Sequence, residues 1–227
     1  MISVNFKGRF GNHLFQLSCA NFLSKKFDQP VANKWDRILV QNETGDKFFN
    51  KTMVVNNDSI ERVFNQESNQ QNIVLDDYFQ TRYCISKFLE YNTYQNNSEQ
   101  LGNYTFVHIR LGDINNIMSL DYEYYDEAIG LFGNEKVLIS SDSPNDEMVL
   151  RLKDKYDATI FRGNEVEAIL MGANCKNRVL SLGTFSWWIG FLGNNFWGDK
   201  INTVCPRVDR TIKWHGDIFP LFDWRSV

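Results

Sequence analysis

The sequence predicts an α/β protein with mostly parallel sheets. Apolar runs typical of strands alternate with amphipathic segments of about 10 to 15 residues, an alternation that is typical of βαβ units. Polar side chains gather directly after three of these strands, which is where ligands bind in parallel sheets. The chain has 227 residues, of which 43% are hydrophobic and 15% aromatic, and this is ample material for packed cores. We therefore expect one large domain or two small ones.

The first part of the chain opens with a strand, a glycine-containing turn and a helix. Residues 1–6 (MISVNF) have the composition of a strand, KGRFG follows as the turn, and residues 12–27 place apolar side chains at helical spacing. Residues 29–33 could form a second strand, whereas residues 36–72 are predicted as loops and short elements. Residues 72–92 predict a strand, a turn and a helix.

The second part of the chain has the more regular pattern and is predicted to be Rossmann-like. The helix that follows its second strand is predicted to have Ser143 as N-cap and Pro144 at its first position. The predicted strands are 104–113, 135–142, 158–163, 177–183 and 201–206, and the predicted helices are 119–133, 143–156, 164–175 and 184–195.

A polar stretch without periodicity, residues 94–103, is the best linker candidate. We accordingly divide the chain into an N-terminal α/β domain (1–100), a Rossmann-like domain (101–205) and a C-terminal tail that packs back on the body (206–227).

Composition excludes several classes of function. The net charge is -4 and no run of Lys or Arg stands out, so nucleic acid is a poor candidate as partner. The four cysteines are far apart and form no CxxC pair, which predicts reduced thiols rather than a zinc site. The first residues lack the apolar region of a signal peptide, and no run is long enough for a transmembrane helix. We expect a cytoplasmic protein with no integral membrane contact; the sequence leaves its oligomeric state open.

Two motifs of the second part predict an anion site. In VHIRLGD, His108 and Arg110 lie on one face of a strand, and Arg110 could bind a phosphate or pair with Asp113. In SLGTFSWW, a small-residue turn leads into a helix whose free N–H groups, with the hydroxyls of Thr184 and Ser186, could face an anion. The tryptophan pair would pack that helix against the sheet.

Two further motifs allow more than one interpretation. GRFGNHLFQ, with Arg9, Asn12 and His13, is either an ordinary turn between strand and helix or a place where backbone approaches a ligand. ISSDSPNDE is either a helix cap or a strand end at which Asp142 accepts hydrogen bonds from a ribose or base.

Together these motifs resemble glycosyltransferase family 11, the alpha-1,2-fucosyltransferases. The resemblance runs from residue 1 to about residue 195 and is strongest in GRFGNHLFQ, HIRLGD and TFSWW. It implies a GT-B-like fold, in which two Rossmann-like halves face a cleft. It also implies an inverting enzyme that needs no metal or other cofactor, with GDP-L-fucose as donor and a galactose-like glycan as acceptor.

The resemblance also implies roles for individual residues. Arg110 would bind the donor β-phosphate, His108 would support that strand end, and Asp142 would sit at the nucleotide. The catalytic base would be Asp113 or His13. The remaining donor-binding residues would be those of the pyrophosphate and ribose region and those reaching in from the first half: Thr184, Phe185, Ser186, Arg9, Gly11 and Asn12.

The sequence departs from the family pattern near the phosphates. Leu111 stands where a second arginine is usual, Gly183 where a serine is usual, and His13 where a glutamine is usual. These departures keep two alternatives open: the same fold using another nucleotide sugar, and a non-catalytic relative that binds a nucleotide or a glycan.

Overall fold

The computed structural model describes residues 1–32, 50–91, 100–112, 120–133, 135–198, 202–207, 218–219 and 223–227, with the side chains of 89–91 excepted. The chain divides into two compact units, residues 1–93 and 94–227. Both have mixed α/β structure with parallel sheets, as the sequence predicts.

The first unit is a small sheet with helices. Its three strands lie in the order β1-β3-β2 and all pairs are parallel. Buried aromatic side chains such as Phe15, Phe22 and Phe64 fill the space between the sheet and the helices. The elements are β1 (Ile2–Val4), α1 (Phe10–Phe27), β2 (Thr52–Val55), α2 (Ile60–Phe64), β3 (Asn72–Leu75) and α3 (Arg82–Tyr91).

The second unit is a larger sheet of six parallel strands in the order β6-β5-β4-β7-β8-β9. Counted from β4, this is the strand order of doubly wound dinucleotide-binding sheets, and its direction reverses between β4 and β7. The elements are β4 (Leu101–Ile109), α4 (Tyr122–Gly130), β5 (Lys136–Ser141), α5 (Glu147–Lys155), β6 (Thr159–Ile160), α6 (Glu165–Asn174), β7 (Cys175–Val179), α7 (Thr184–Trp197), β8 (Asn202–Cys205) and β9 (Arg225–Ser226).

Helix α7 is buried nearly all round, which explains its aromatic sequence. Trp187 stacks on Phe191 one turn later with ring centroids 4.8 Å apart, and Trp188 meets Trp187 edge-on at 5.3 Å. Both tryptophans are at most 2% exposed. The pair thus holds α7 in the core, as the sequence predicts.

A buried arginine joins β7 to the two helices packed beside it. Arg178 is fully buried, and its Nη2 donates hydrogen bonds to the carbonyls of Ala173 and Cys175 at the end of α6. A cation there complements the negative end of the helix dipole. A side chain at Gly193 of α7 would overlap the Arg178 guanidinium, so this close approach requires glycine.

Three local predictions differ from the structure. Ser143 is not the N-cap of α5: the helix begins at Glu147 and Asp146 caps it, accepting from the Met148 N–H at 2.9 Å, because residues 143–146 first form a turn. Of the second strand expected at 29–33, the described residues 29–32 form one bridge, between Ile2 and Val31. Strand β9 adds a sixth strand that the sequence pattern did not indicate.

Candidate functional site

The sequence-predicted residues of the second unit meet at one edge of its sheet. Arg110 follows β4, Asp142 follows β5, and the turn 180–183 follows β7. Because these strands are parallel neighbours, their carboxyl ends lie side by side. The site is therefore at the point where the strand order reverses, which is where doubly wound sheets bind ligands.

Arg110 lies directly over the start of α7. Gly183 precedes the first residue of that helix and has φ +107, a conformation that favours glycine. A Cβ added at Gly183 would overlap Nη1 of Arg110 and would lie 3.5 Å from its Cζ. The missing side chain thus makes the space in which the guanidinium packs, and it lets a cation lie at the start of α7, where the N–H groups of the first turn have no partner within the helix.

His108 joins β4 to the same turn of α7. Its Nδ1 is 2.5 Å from Oγ of Ser186, and the same Oγ accepts a hydrogen bond from the N–H of Ser181 at 2.9 Å. The imidazole also packs against the Phe185 ring, with centroids 4.9 Å apart. These contacts fix the position of α7 relative to Arg110.

The imidazole of His108 is neutral in the folded protein. Burial lowers its pKa from 6.5 to about 4; the carboxylate of Asp142 opposes this shift and the charge of Arg110 adds to it. A neutral ring keeps the site's positive charge on Arg110, so His108 acts as a structural link and not as a second cation.

Two adjacent tyrosines of α4 hold the turn after β7 from the other side. The Tyr124 hydroxyl donates to the carbonyl of Leu180 at 2.6 Å, and the Tyr125 hydroxyl donates to Oγ of Ser181 at 3.1 Å. Burial raises the pKa of both phenols, so both remain protonated donors. Sequence reasoning missed these residues because a YY pair in an amphipathic helix resembles ordinary core packing.

Asp142 holds the loop that follows β4. Its Oδ1 accepts from the N–H of Leu111 at 2.8 Å and from the N–H of Gly112 at 3.1 Å. The Leu111 side chain is 3% exposed and packs in the core of the sheet. Asp142 is thus a loop anchor beside Arg110, while its contact with a nucleotide stays a prediction. Asp113, a candidate base, lies outside the described residues.

The candidate residues of the first unit gather at the carboxyl ends of β1 and β3. Arg9 is exposed at the N-cap of α1 and makes no side-chain capping bond. Oδ1 of Asn12 accepts from Nε2 of Gln80 at 2.9 Å, which joins the first turn of α1 to the loop after β3. Gly8 has φ +77 and a Cβ there would overlap the Asn12 amide, so this turn requires a glycine.

The buried amide of Gln16 ties the same two loops together. Its Nε2 donates to the carbonyl of Asp77 at 3.1 Å and to that of Lys7 at 3.3 Å, and its Oε1 accepts from the Lys7 N–H. Sequence reasoning missed the roles of Gln16 and Gln80. Asp77 is 61 residues from Gln16 and Asn12 is 68 residues from Gln80, so no local pattern could assign these contacts.

The two other candidates of this unit are partly enclosed by the fold. Gly11 is buried in the first turn of α1. The His13 ring is half-buried and packs against Phe6, with centroids 4.8 Å apart. The proposed role of His13 as a base therefore stays a prediction.

The described residues contain neither a cluster suited to a metal ion nor a helix suited to cross a membrane. They contain no group of three or more His, Cys, Asp or Glu side chains placed to hold a metal ion. None of the helices in the described part of the chain combines the length and the apolar character needed to cross a membrane. All four cysteines are buried free thiols.

Comparison with protein families gives one match. Residues 85–205, more than half of the chain, match the family described as Glycosyl transferase family 11. The matched region runs from α3 to β8 and contains Arg110, Asp142 and the start of α7. No curated protein and no solved structure matches the chain.

Proposed function

This chain belongs to glycosyl transferase family 11, and we propose that it transfers L-fucose from GDP-L-fucose to a hydroxyl group of a galactose-like glycan. The proposed reaction is inverting, forms an alpha-1,2 linkage and uses no metal. The observation that supports it most directly is the packing of Arg110 over the N-terminus of α7, at the reversal point of a doubly wound sheet.

The chemistry needs a fixed positive charge at the leaving group. In the reaction, the acceptor oxygen forms a bond to C1 of fucose while the bond from C1 to the β-phosphate oxygen breaks. Negative charge grows on the departing GDP. Arg110 and the N–H groups of Thr184 and Phe185 would neutralise it, and a site fixed in advance stabilises a transition state without reorganising.

The hydrogen-bond network assigns different tasks to the other predicted donor-binding residues. The Ser186 hydroxyl is already engaged by His108 and Ser181. We therefore assign to Ser186 the positioning of α7, and to Thr184 and Phe185 the contacts with the pyrophosphate and ribose. Asp142 would act by holding the backbone next to Arg110.

The acceptor side of the proposal rests on the family resemblance. In a GT-B arrangement the first unit would provide much of the acceptor wall, with Arg9, Gly11 and Asn12 nearest the donor. The acceptor hydroxyl would give its proton to a base, Asp113 or His13. A panel of Asp113→Asn and His13→Gln variants would separate the two, because loss of the true base lowers kcat and leaves GDP affinity unchanged.

Leu111 favours one alternative, the use of a different nucleotide sugar. Its side chain is buried in the core, so this position supplies no second cation near the phosphates. A non-catalytic relative that binds a nucleotide or glycan is the other alternative. Binding without turnover across a broad acceptor panel would favour it.

The experiment that tests the proposal is calorimetric titration of the protein, without divalent metal, against GDP, UDP, ADP and CDP. We expect selective binding of GDP, which Arg110→Ala weakens strongly and Arg62→Ala, an exposed arginine of α2, leaves unchanged. Transfer from GDP-fucose should be lost with Arg110→Ala. Preference for another nucleotide would overturn the donor assignment, and normal transfer by Arg110→Ala would overturn the site.

A further inference from the structure

The first unit contains a polar pocket of about 530 Å³ at the amino edge of its sheet. Residues just before β2, Asn50 and Lys51, line one side, and the loop 66–71 that leads into β3 lines the other. Arg9 and Asn12 follow the carboxyl end of β1, so they belong to the opposite edge of the sheet. We propose that this pocket is a second carbohydrate-binding site, which takes a neutral, hydroxyl-rich sugar.

The lining has the chemistry that recognises hydroxyl groups. A carboxamide offers two N–H donors and a carbonyl acceptor, and a sugar hydroxyl both donates and accepts. Among the described residues no carboxylate lines the pocket, and its one lysine is too little charge for a polyanion. Beside Lys51 and Met53, the lining consists of carboxamides and one hydroxyl: Asn50, Gln66, Asn69, Gln70, Gln71 and Ser68.

Buried contacts hold the loop of the pocket in place. Gln29 is 1% exposed, and its Nε2 donates to the carbonyl of Asn69 at 3.0 Å. Nδ2 of Asn69 donates to the carbonyl of Gln71 at 2.6 Å. The carbonyl of Lys51 accepts from the N–H of Asn72 at 2.8 Å, which joins the two walls. A loop fixed in this way loses little entropy when it binds a ligand.

Two amides are available to a ligand. The side chains of Gln66 and Gln70 make no hydrogen bond within the part of the chain that the structure describes, and both line the pocket. A sugar hydroxyl can donate to the carbonyl oxygen of such an amide and accept from its N–H groups. The choice of a sugar over other neutral polar ligands rests on the proposed function, because a glycan acceptor is long enough to touch a protein at two places.

The test is a titration of the isotope-labelled full chain with lactose and lacto-N-tetraose, followed by the side-chain amide signals in heteronuclear correlation spectra. We expect saturable shifts of the Gln66 and Gln70 signals. In the Gln66→Ala/Gln70→Ala variant, binding is followed by the side-chain amide signal of Asn69. Its affinity for the sugars should fall about tenfold, because two hydrogen bonds are lost. Asn145→Ala, which removes an exposed amide of the second unit, should leave the affinity for the sugars unchanged.

Sugar binding at the pocket and transfer of fucose can be tested independently. Saturating GDP and the Arg110→Ala variant should leave the shifts at Gln66 and Gln70 unchanged. Shifts in an unaltered protein that shows no transferase activity would support the pocket and overturn the proposed function. Signals that stay unmoved at the highest soluble sugar concentration, or equal affinity in the double variant, would overturn the pocket, whatever the transferase activity.

Discussion

Replacing Gly183 by alanine tests the arrangement on which the anion site depends. The added methyl group would overlap Nη1 of Arg110 and approach its Cζ to 3.5 Å and its Cδ to 3.8 Å, so the guanidinium would have to leave its place over α7. Alanine would also have to adopt φ +107, which costs about 1–3 kcal/mol. One substitution therefore produces two separable effects, strain in the backbone and displacement of a cation.

The two effects have different sizes and different readouts. Backbone strain of this size should lower the Tm by about 3–10 °C in a protein of this length. Displacement of Arg110 should remove a charge-assisted hydrogen bond to the phosphate, about 1.5–3 kcal/mol, and so weaken GDP binding about 10- to 150-fold. Calorimetry with GDP and thermal unfolding measure the two separately.

Gly133 provides the matched control. It has φ +68, and no atom lies within 4 Å of where its Cβ would be. Gly133→Ala should therefore lower the Tm with GDP affinity unchanged. In an Arg110→Ala background, Gly183→Ala should weaken GDP binding no further, since the displaced group is already absent. If Gly183→Ala binds GDP as tightly as the unaltered protein, Arg110 does not act from this position and the reasoning is refuted.

Three other predictions concern the contacts around the two sheets. Burial lowers the pKa of His108 from 6.5 to about 4. Between these two pH values the imidazole is therefore protonated in the unfolded chain and neutral in the folded protein. The neutral imidazole of His108 therefore costs no stability above about pH 6.5, and the free energy of unfolding should fall by up to about 3 kcal/mol as the pH drops towards 4. When the free energy of unfolding is measured in urea at several pH values, it should depend less on pH in His108→Gln than in the unaltered protein. An equal pH dependence would contradict the burial of the ring. Tyr125→Phe removes the bond to Ser181 and should lower the free energy of unfolding by about 1 kcal/mol, with a less than tenfold effect on GDP affinity; a loss as large as that of Arg110→Ala would mean that the phenol touches the ligand. Gln16→Leu leaves buried backbone groups of two loops unpaired and should lower the stability measured in urea by about 2–5 kcal/mol, whereas a change below 1 kcal/mol would show that water replaces the amide.

The strands and helices of the second unit could be predicted from the sequence because each of them has a local pattern of apolar residues. Apolar runs and helical spacing recur with the period of βα units, and the positions of Arg110 and Thr184 follow from where a strand stops and a helix begins. In a parallel sheet this is enough to bring such residues to one edge, even without a known strand order.

The details that escaped the sequence depend on contacts between distant segments. The sequence pattern suggests Asp142 as a ligand of a ribose or base, yet its carboxylate accepts from two N–H groups about 30 residues earlier, in the loop after β4. The separations are larger still for Tyr125 with Ser181, 56 residues, and for Gln16 with Asp77, 61 residues. A polar residue in a helix gives no local sign of which backbone group it will meet. The cap of α5 was misplaced for a related reason, because a turn that precedes a helix uses the same Ser, Pro and Asp residues as a cap.

Helix α7 meets an arginine at each of two glycines, and this constrains how the sequence can change over evolution. Gly183 makes room for Arg110 and Gly193 makes room for Arg178, so a larger side chain at either glycine requires the facing guanidinium to move or be replaced. Because a serine is usual at position 183 in the family, relatives that keep the arginine of position 110 should hold its guanidinium in a different place. Positions 193 and 178 should vary together, and divergence at this pair would mark only a repacked interior.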